Sequence, residues 1–175
     1  MRLFFSLDPT PELQTKIADL RPIFKNVRLM PKDQLHLTLL FLGDQSSQIL
    51  HEMPEALESL IFDPLTIELS EIGHFRSGVI WLGIKPNPKL FRLQKQLSNA
   101  LQRYGVKFQH RRYTPHLTLA RTKQLKPSQL RTILNQYNQA FSEHPLSFNT
   151  HCIFLKSSHL TNKGAIHRIE AEWQV

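Results

Sequence analysis

The chain has 175 residues, about one domain's worth, with 41% apolar and 21% charged residues, the balance of a globular protein and not of a disordered one. No apolar run approaches the ~20 residues of a membrane helix, the start turns acidic and proline-bearing at Asp8-Pro9-Thr10-Pro11 where a signal peptide would stay apolar, and the single Cys152 excludes an internal disulfide. A cytoplasmic, monomer-sized protein with no membrane contact is expected.

In chain order, residues 2–7 read as a strand, and Leu13, Ile17, Leu20 and Phe24 then recur at helical spacing after Pro11. Residues 35–42 read as a strand stopped by Gly43-Asp44, and 46–60 as a helix bent by Pro54. Two strands follow, 65–72 and 79–84, joined through a segment bounded by Gly73 and Gly78. Leu90, Leu93, Leu97, Ala100, Leu101 and Tyr104 give the clearest amphipathic helix, ended by Gly105. Residues 116–120 predict a strand, 128–137 a helix, and 148–154 and 165–173 the closing strands. Short helices mixed with strands, and no Gly/Ser-rich linker, indicate one α+β domain over 1–175 with antiparallel sheets.

The net charge of +8 is unevenly placed. Residues 72–142 hold thirteen Lys and Arg and no Asp or Glu, which fits a polyanionic partner, nucleic acid above all.

One tetrapeptide occurs twice, His36-Leu37-Thr38-Leu39 and His116-Leu117-Thr118-Leu119, 80 residues apart. Such a repeat fits an old internal duplication. Side chains alternate along a strand, so the leucines can anchor a core while imidazole and hydroxyl share the opposite face. Two such faces brought together would put two imidazoles at one reacting centre, suited to paired general acid and base work. Symmetry does not say which histidine is acid and which is base. Arg121 follows the second copy and would suit phosphate oxygens, but an unbroken strand aims it away from His116, so a bulge near Ala120 is needed. Its counterpart in the first copy is Phe41. Phe5, Phe41, Phe75 and Tyr113 are candidate stacking faces for a base, and His110-Arg111-Arg112 a candidate grip on upstream phosphates. The other histidines form no zinc spacing, and no serine-hydrolase or P-loop motif occurs.

These residues resemble the two-histidine phosphoesterases, whose signature is a pair of His-x-Thr-x motifs, and within them the RNA 2′,3′-cyclic phosphodiesterases historically labelled 2′-5′ RNA ligases. The likeness runs from Arg2-Leu3-Phe4-Phe5-Ser6-Leu7 through both motifs and Ile80-Trp81-Leu82-Gly83 to Ser158-His159-Leu160 and Gly164. It implies a bilobal, pseudo-twofold fold of two antiparallel sheets backed by helices, with the cleft between the lobes. It implies hydrolysis of RNA 2′,3′-cyclic phosphate ends to 2′-phosphomonoesters without metal or other cofactor, and no obligate protein partner. By motif position His36 would protonate the leaving 3′ oxygen, His116 would activate water, and Thr38, Thr118 and Arg121 would hold the phosphate. Two positions depart from the family pattern, His167 for a common tyrosine and Arg76 for a common proline. A 2′-5′ RNA ligase, a 2′-5′-oligonucleotide phosphodiesterase and a non-catalytic RNA-binding module are the alternatives.

Overall fold

The structure, a computed structural model, describes residues 1–123, 125–162 and 164–174. Its strands are β1 (Arg2–Leu7), β2 (Val27–Leu29), β3 (Leu37–Asp44), β4 (Leu65–Phe75), β5 (Val79–Ile84), β6 (His116–Thr122), β7 (Ser147–Thr150), β8 (Cys152–Thr161) and β9 (Gly164–Gln174). Its α-helices are α1 (Pro11–Leu20), α2 (Ile49–Ala56), α3 (Pro88–Arg103) and α4 (Pro127–Ser142), with a 3-10 turn at Lys32–Gln34. The class is α+β with antiparallel pairing, as the local patterns predict. No helix among the described residues is long and apolar enough to cross a membrane.

Three of the four helices open on proline at the first position, where its missing N–H costs nothing. Thr10 caps α1 by accepting from the Leu13 amide, and Asn87 caps α3 by accepting from the Leu90 amide. The predicted 46–60 helix is shorter, eight residues, with Pro54 inside it leaving the preceding turn's Leu50 carbonyl without its amide donor. The predicted strand 148–154 is two strands broken at His151. Hydrophobic pattern cannot show such a break, because Phe148, Thr150 and Ile153 are all buried on either side of it.

The strand order is β7-β4-β5-β6-β3-β1-β8-β9, with β2 added on β6. The resemblance implies two sheets; the strands instead follow one path, joined at its centre by a single antiparallel pair, Leu37 opposite Leu117. Those two residues are equivalent members of the repeated tetrapeptide. Leu37, Leu39, Leu117 and Leu119 are each at most 1% exposed, so the motifs are anchored from behind. Full burial of a leucine stabilises by about 1.5–3 kcal/mol.

Both motif strands carry a bulge at the same place. Ser6 pairs with Thr38 and Phe5 with Leu40, which skips Leu39; Trp81 pairs with Thr118 and Ile80 with Ala120, which skips Leu119. The extra residue flips the side-chain alternation beyond it. A bulge also leaves a carbonyl without its ladder partner. At Leu119 that carbonyl accepts from Arg21 Nη1 at 3.1 Å and from the Met30 amide at 3.0 Å. Arg21, 8% exposed at the end of α1, also donates to the Met30 carbonyl at 2.6 Å.

Candidate active site

Because Leu37 faces Leu117 across an antiparallel pair with both side chains in the core, the neighbours on either side turn to the opposite face. His36 then lies across from Thr118 and Thr38 across from His116, with facing Cβ atoms about 4.5–5.5 Å apart in such a ladder. The register thus turns His36, Thr38, His116 and Thr118 to one face of the sheet. All four side chains are half-buried.

The two rings are held alike. Nδ1 of His36 donates to the Gln34 carbonyl at 2.7 Å, and Nδ1 of His116 donates to the Thr114 carbonyl at 2.6 Å. A carbonyl only accepts, so Nδ1 carries a proton in each and Nε2 is the nitrogen left for chemistry. The bond spans two residues in both cases, and its acceptor lies in the segment just before each strand.

The surroundings differ. His36 stands against the rings of Phe4 (centroids 4.9 Å apart) and His167 (5.0 Å, edge-on). Behind it Lys156, only 4% exposed, is ion-paired with Asp8, which also accepts from the Ser6 hydroxyl at 3.0 Å. His116 stands instead against Phe75 (5.0 Å, edge-on) and Trp81 (6.1 Å). Gly73 leaves room for that wall: a Cβ there would lie 2.1 Å from Cζ2 of Trp81. One imidazole has a polar, cationic backing and the other an aromatic one.

Burial pushes the proton affinity of His36 down, to about 3, with the charges of Lys156, His167 and His116 lowering it further against the Gln34 bond. Burial lowers His116 as well, opposed by its bond to Thr114. His167 is lowered by burial and by Lys156 and Arg121, with Asp8 opposing. Burial thus favours the neutral form of both motif rings.

The bulge at Leu119 puts Leu119 and Ala120 both into the core and returns Arg121 to the cleft face, where it is exposed and near enough to His167 to depress that ring's protonation. The matching bulge at Leu39 returns Phe41 to the same face, 58% exposed. Tyr113 lines the groove beside His116, its ring edge-on to Phe91 of α3 at 5.4 Å. Phe5 does not join them. It is fully buried against Trp173 on the core side with Leu3 and Leu7, so it offers no face to a base. Strand alternation gives that side of β1 to Phe4, Ser6 and Asp8, a pattern present in the sequence. Sequence reasoning missed Phe4, Asp8 and Lys156. Among the described residues no group of three or more His, Cys, Asp or Glu side chains is placed to hold a metal ion.

An antiparallel α+β sheet that seats two His-x-Thr-x segments side by side, with their tautomers fixed alike, defines a two-histidine phosphoesterase. Within that class, the chain belongs to the 2′-5′ RNA ligase superfamily, whose family model matches residues 9–157. It is similar to a Methanocaldococcus jannaschii protein named RNA 2′,3′-cyclic phosphodiesterase, 32% identical over 181 residues that span 99% of this chain and 100% of that one. An Escherichia coli protein of the same name is 36% identical over 129 residues, 69% of this chain and 71% of its own. Among solved structures, apo Escherichia coli LigT superposes with a TM-score of 0.76 at 26% identity, over 99% of this chain and 96% of that one. A Thermus thermophilus structure shares the fold, with a TM-score of 0.78 at 20% identity and coverage of 99% and 97%.

Proposed function

We propose that the chain is a cytoplasmic, metal-independent hydrolase of RNA 2′,3′-cyclic phosphate ends that yields 2′-phosphomonoesters. The observation that carries this reading is the pair of identically tethered imidazoles, each beside a threonine hydroxyl, across one antiparallel seam. The names of the full-length relatives support the substrate class.

The domain is one unit of two related lobes, a motif in each. Three features support that symmetry: Leu37 faces its own equivalent Leu117, the bulges fall at equivalent Leu39 and Leu119, and β1 and β5 flank the two motif strands alike. A pseudo-twofold axis would pass between the two leucines, and the phosphate would sit over them.

In-line displacement needs a base on one side of phosphorus and an acid on the other. A water oxygen attacks phosphorus and its proton passes to Nε2 of His116. The P–O3′ bond breaks, the leaving oxygen takes the proton from Nε2 of His36, and a 3′-hydroxyl and a 2′-phosphate result. Thr38, Thr118 and Arg121 hold the non-bridging oxygens and offset their growing charge. The assignment of acid and base follows the family resemblance. His36 must then be charged, and the anionic phosphodiester is what raises its proton affinity, so a proton is taken up as substrate binds. With a 5′-hydroxyl in place of water as the nucleophile, attack on phosphorus as the P–O3′ bond breaks would form a 2′-5′ phosphodiester on the same groups.

The test is kcat/KM against pH on an RNA ending in a cyclic phosphate, for the native protein and for His36→Ala and His116→Ala. A bell-shaped profile and a loss of at least 10²-fold in each variant are expected. Near-native turnover in either variant overturns the paired mechanism.

A further inference from the structure

We propose that the groove leading away from His116 binds the single-stranded RNA 5′ of the reacting nucleotide, with Arg111 and Arg112 holding upstream phosphates. This rests on the reading that the protein acts on RNA ends, and it assigns that site a preference for chains over mononucleotides.

The groove has a volume of about 950 Å³ and begins at Thr38 and His116, so it opens on the reacting centre. That is the upper end of the roughly 300–1,000 Å³ range of pockets that take a single drug-sized ligand. Its far wall is the segment 107–114, which brings Lys107, Arg111 and Arg112 to the groove, and Arg2 joins them from β1. Asp44 is the one carboxylate on the lining. Among the described residues the ion pairs are Lys85 with Glu68 and Lys156 with Asp8, so no groove arginine is spent on a carboxylate. Arg111 is steadied by a neutral partner, donating to Gln109 Oε1 at 2.7 Å.

The wall is also tied down. Gln45 donates its side-chain amide to the Leu42 carbonyl at 2.8 Å and to the Lys107 carbonyl at 2.9 Å, which fastens the basic segment to the end of β3. On the same groove Phe41 stands 58% exposed, so its ring has a face open to a flat partner. Forked cations spaced along a groove with an aromatic face beside it are the pattern that follows a single strand: arginines on phosphates, a ring under a base.

The test compares a nucleoside 2′,3′-cyclic phosphate with a tetranucleotide ending in the same group, for the native protein and Arg111→Ala/Arg112→Ala. Both arginines are exposed, so the core is untouched. The native protein is expected to favour the tetranucleotide by at least tenfold in kcat/KM, and the double variant to lose most of that ratio. Binding of a tetranucleotide ending in a 2′-phosphate, followed by anisotropy against salt, is expected to lose about 1.4 from the log–log slope, near 0.7 for each phosphate contact on a single strand. A ratio and a salt slope both unchanged in the variant would overturn the proposal, as would a native protein indifferent to length. Failure of the native protein to hydrolyse either substrate would instead strike at the catalytic reading.

Discussion

Replacing Asp8 with Asn leaves the Lys156 ammonium buried without its counter-charge. The two side chains are 6% and 18% exposed, so water cannot take over the role of the carboxylate. Breaking a buried pair by removing one partner costs about 3–5 kcal/mol. In a chain of this length each kcal/mol is worth roughly 2–4 °C, so the melting temperature should fall by roughly 6–20 °C. Urea denaturation at pH 7 measures the loss directly, and Asp8→Asn/Lys156→Met serves as its control. With both charges gone the pair is replaced by an amide and an apolar chain of similar length, and most of the lost stability should return. The same double variant removes a cation that holds down the protonation of His36, so that ring should titrate higher by NMR. A single-variant cost under about 1 kcal/mol would mean that the pair behaves as a surface one, and would refute the argument.

Acid sensitivity should follow from the histidines. His36, His116 and His167 all bind protons less readily than the ~6.5 of an unfolded chain, so the unfolded state takes up more protons as pH falls. Stability is then fully present above about pH 6.5 and is lost below it, for His36 down toward about 3, by up to about 1.4 kcal/mol per unit for each neutral ring. Urea midpoints at pH 7, 6 and 5 should decline, less steeply in His36→Asn, and a flat series would contradict the burial of these rings. Arg21→Met strands the Met30 carbonyl and leaves the Leu119 carbonyl only the Met30 amide, so it should cost about 1–3 kcal/mol and reduce phosphate affinity through Arg121; unchanged affinity would uncouple the bulge from the site. Gly73→Ala must displace the Trp81 indole, and the near-ultraviolet dichroism of tryptophan should change with a stability loss of about 1–3 kcal/mol. Inorganic phosphate binding, followed by calorimetry in two buffers of different ionisation enthalpy, should show net proton uptake; none would argue against an acid charged by its substrate.

The groups proposed to react stand out in the sequence because the motif repeats: two identical tetrapeptides declare their own alternation, and the structure pairs them at Leu37 and Leu117. Arg121 was legible only conditionally, since it depends on a bulge at Leu119 that leaves no mark in the hydrophobic pattern. The cause of the bulge's stability, Arg21, lies 98 residues away from the carbonyl it satisfies. Lys156 and Asp8 were out of reach for the same reason, being 148 residues apart and joined only when β8 docks on β1. Phe5 is aromatic like the cleft residues, but the parity of β1 assigns it to the core with Leu3 and Leu7. Helix starts were clear from Thr10-Pro11 and Asn87-Pro88, where local chemistry decides. The break at His151 and the short β2 were not, since strand pairing decides those.

The most direct test of the central claim is the fate of a short RNA ending in a 2′,3′-cyclic phosphate, incubated with the protein in excess chelator and its product typed by position. A 2′-phosphate is expected to form despite the chelator, and to be lost in His36→Ala and in His116→Ala. An RNA end left intact would contradict the substrate assignment, and a 3′-phosphate product would contradict the placement of acid and base across the two motifs.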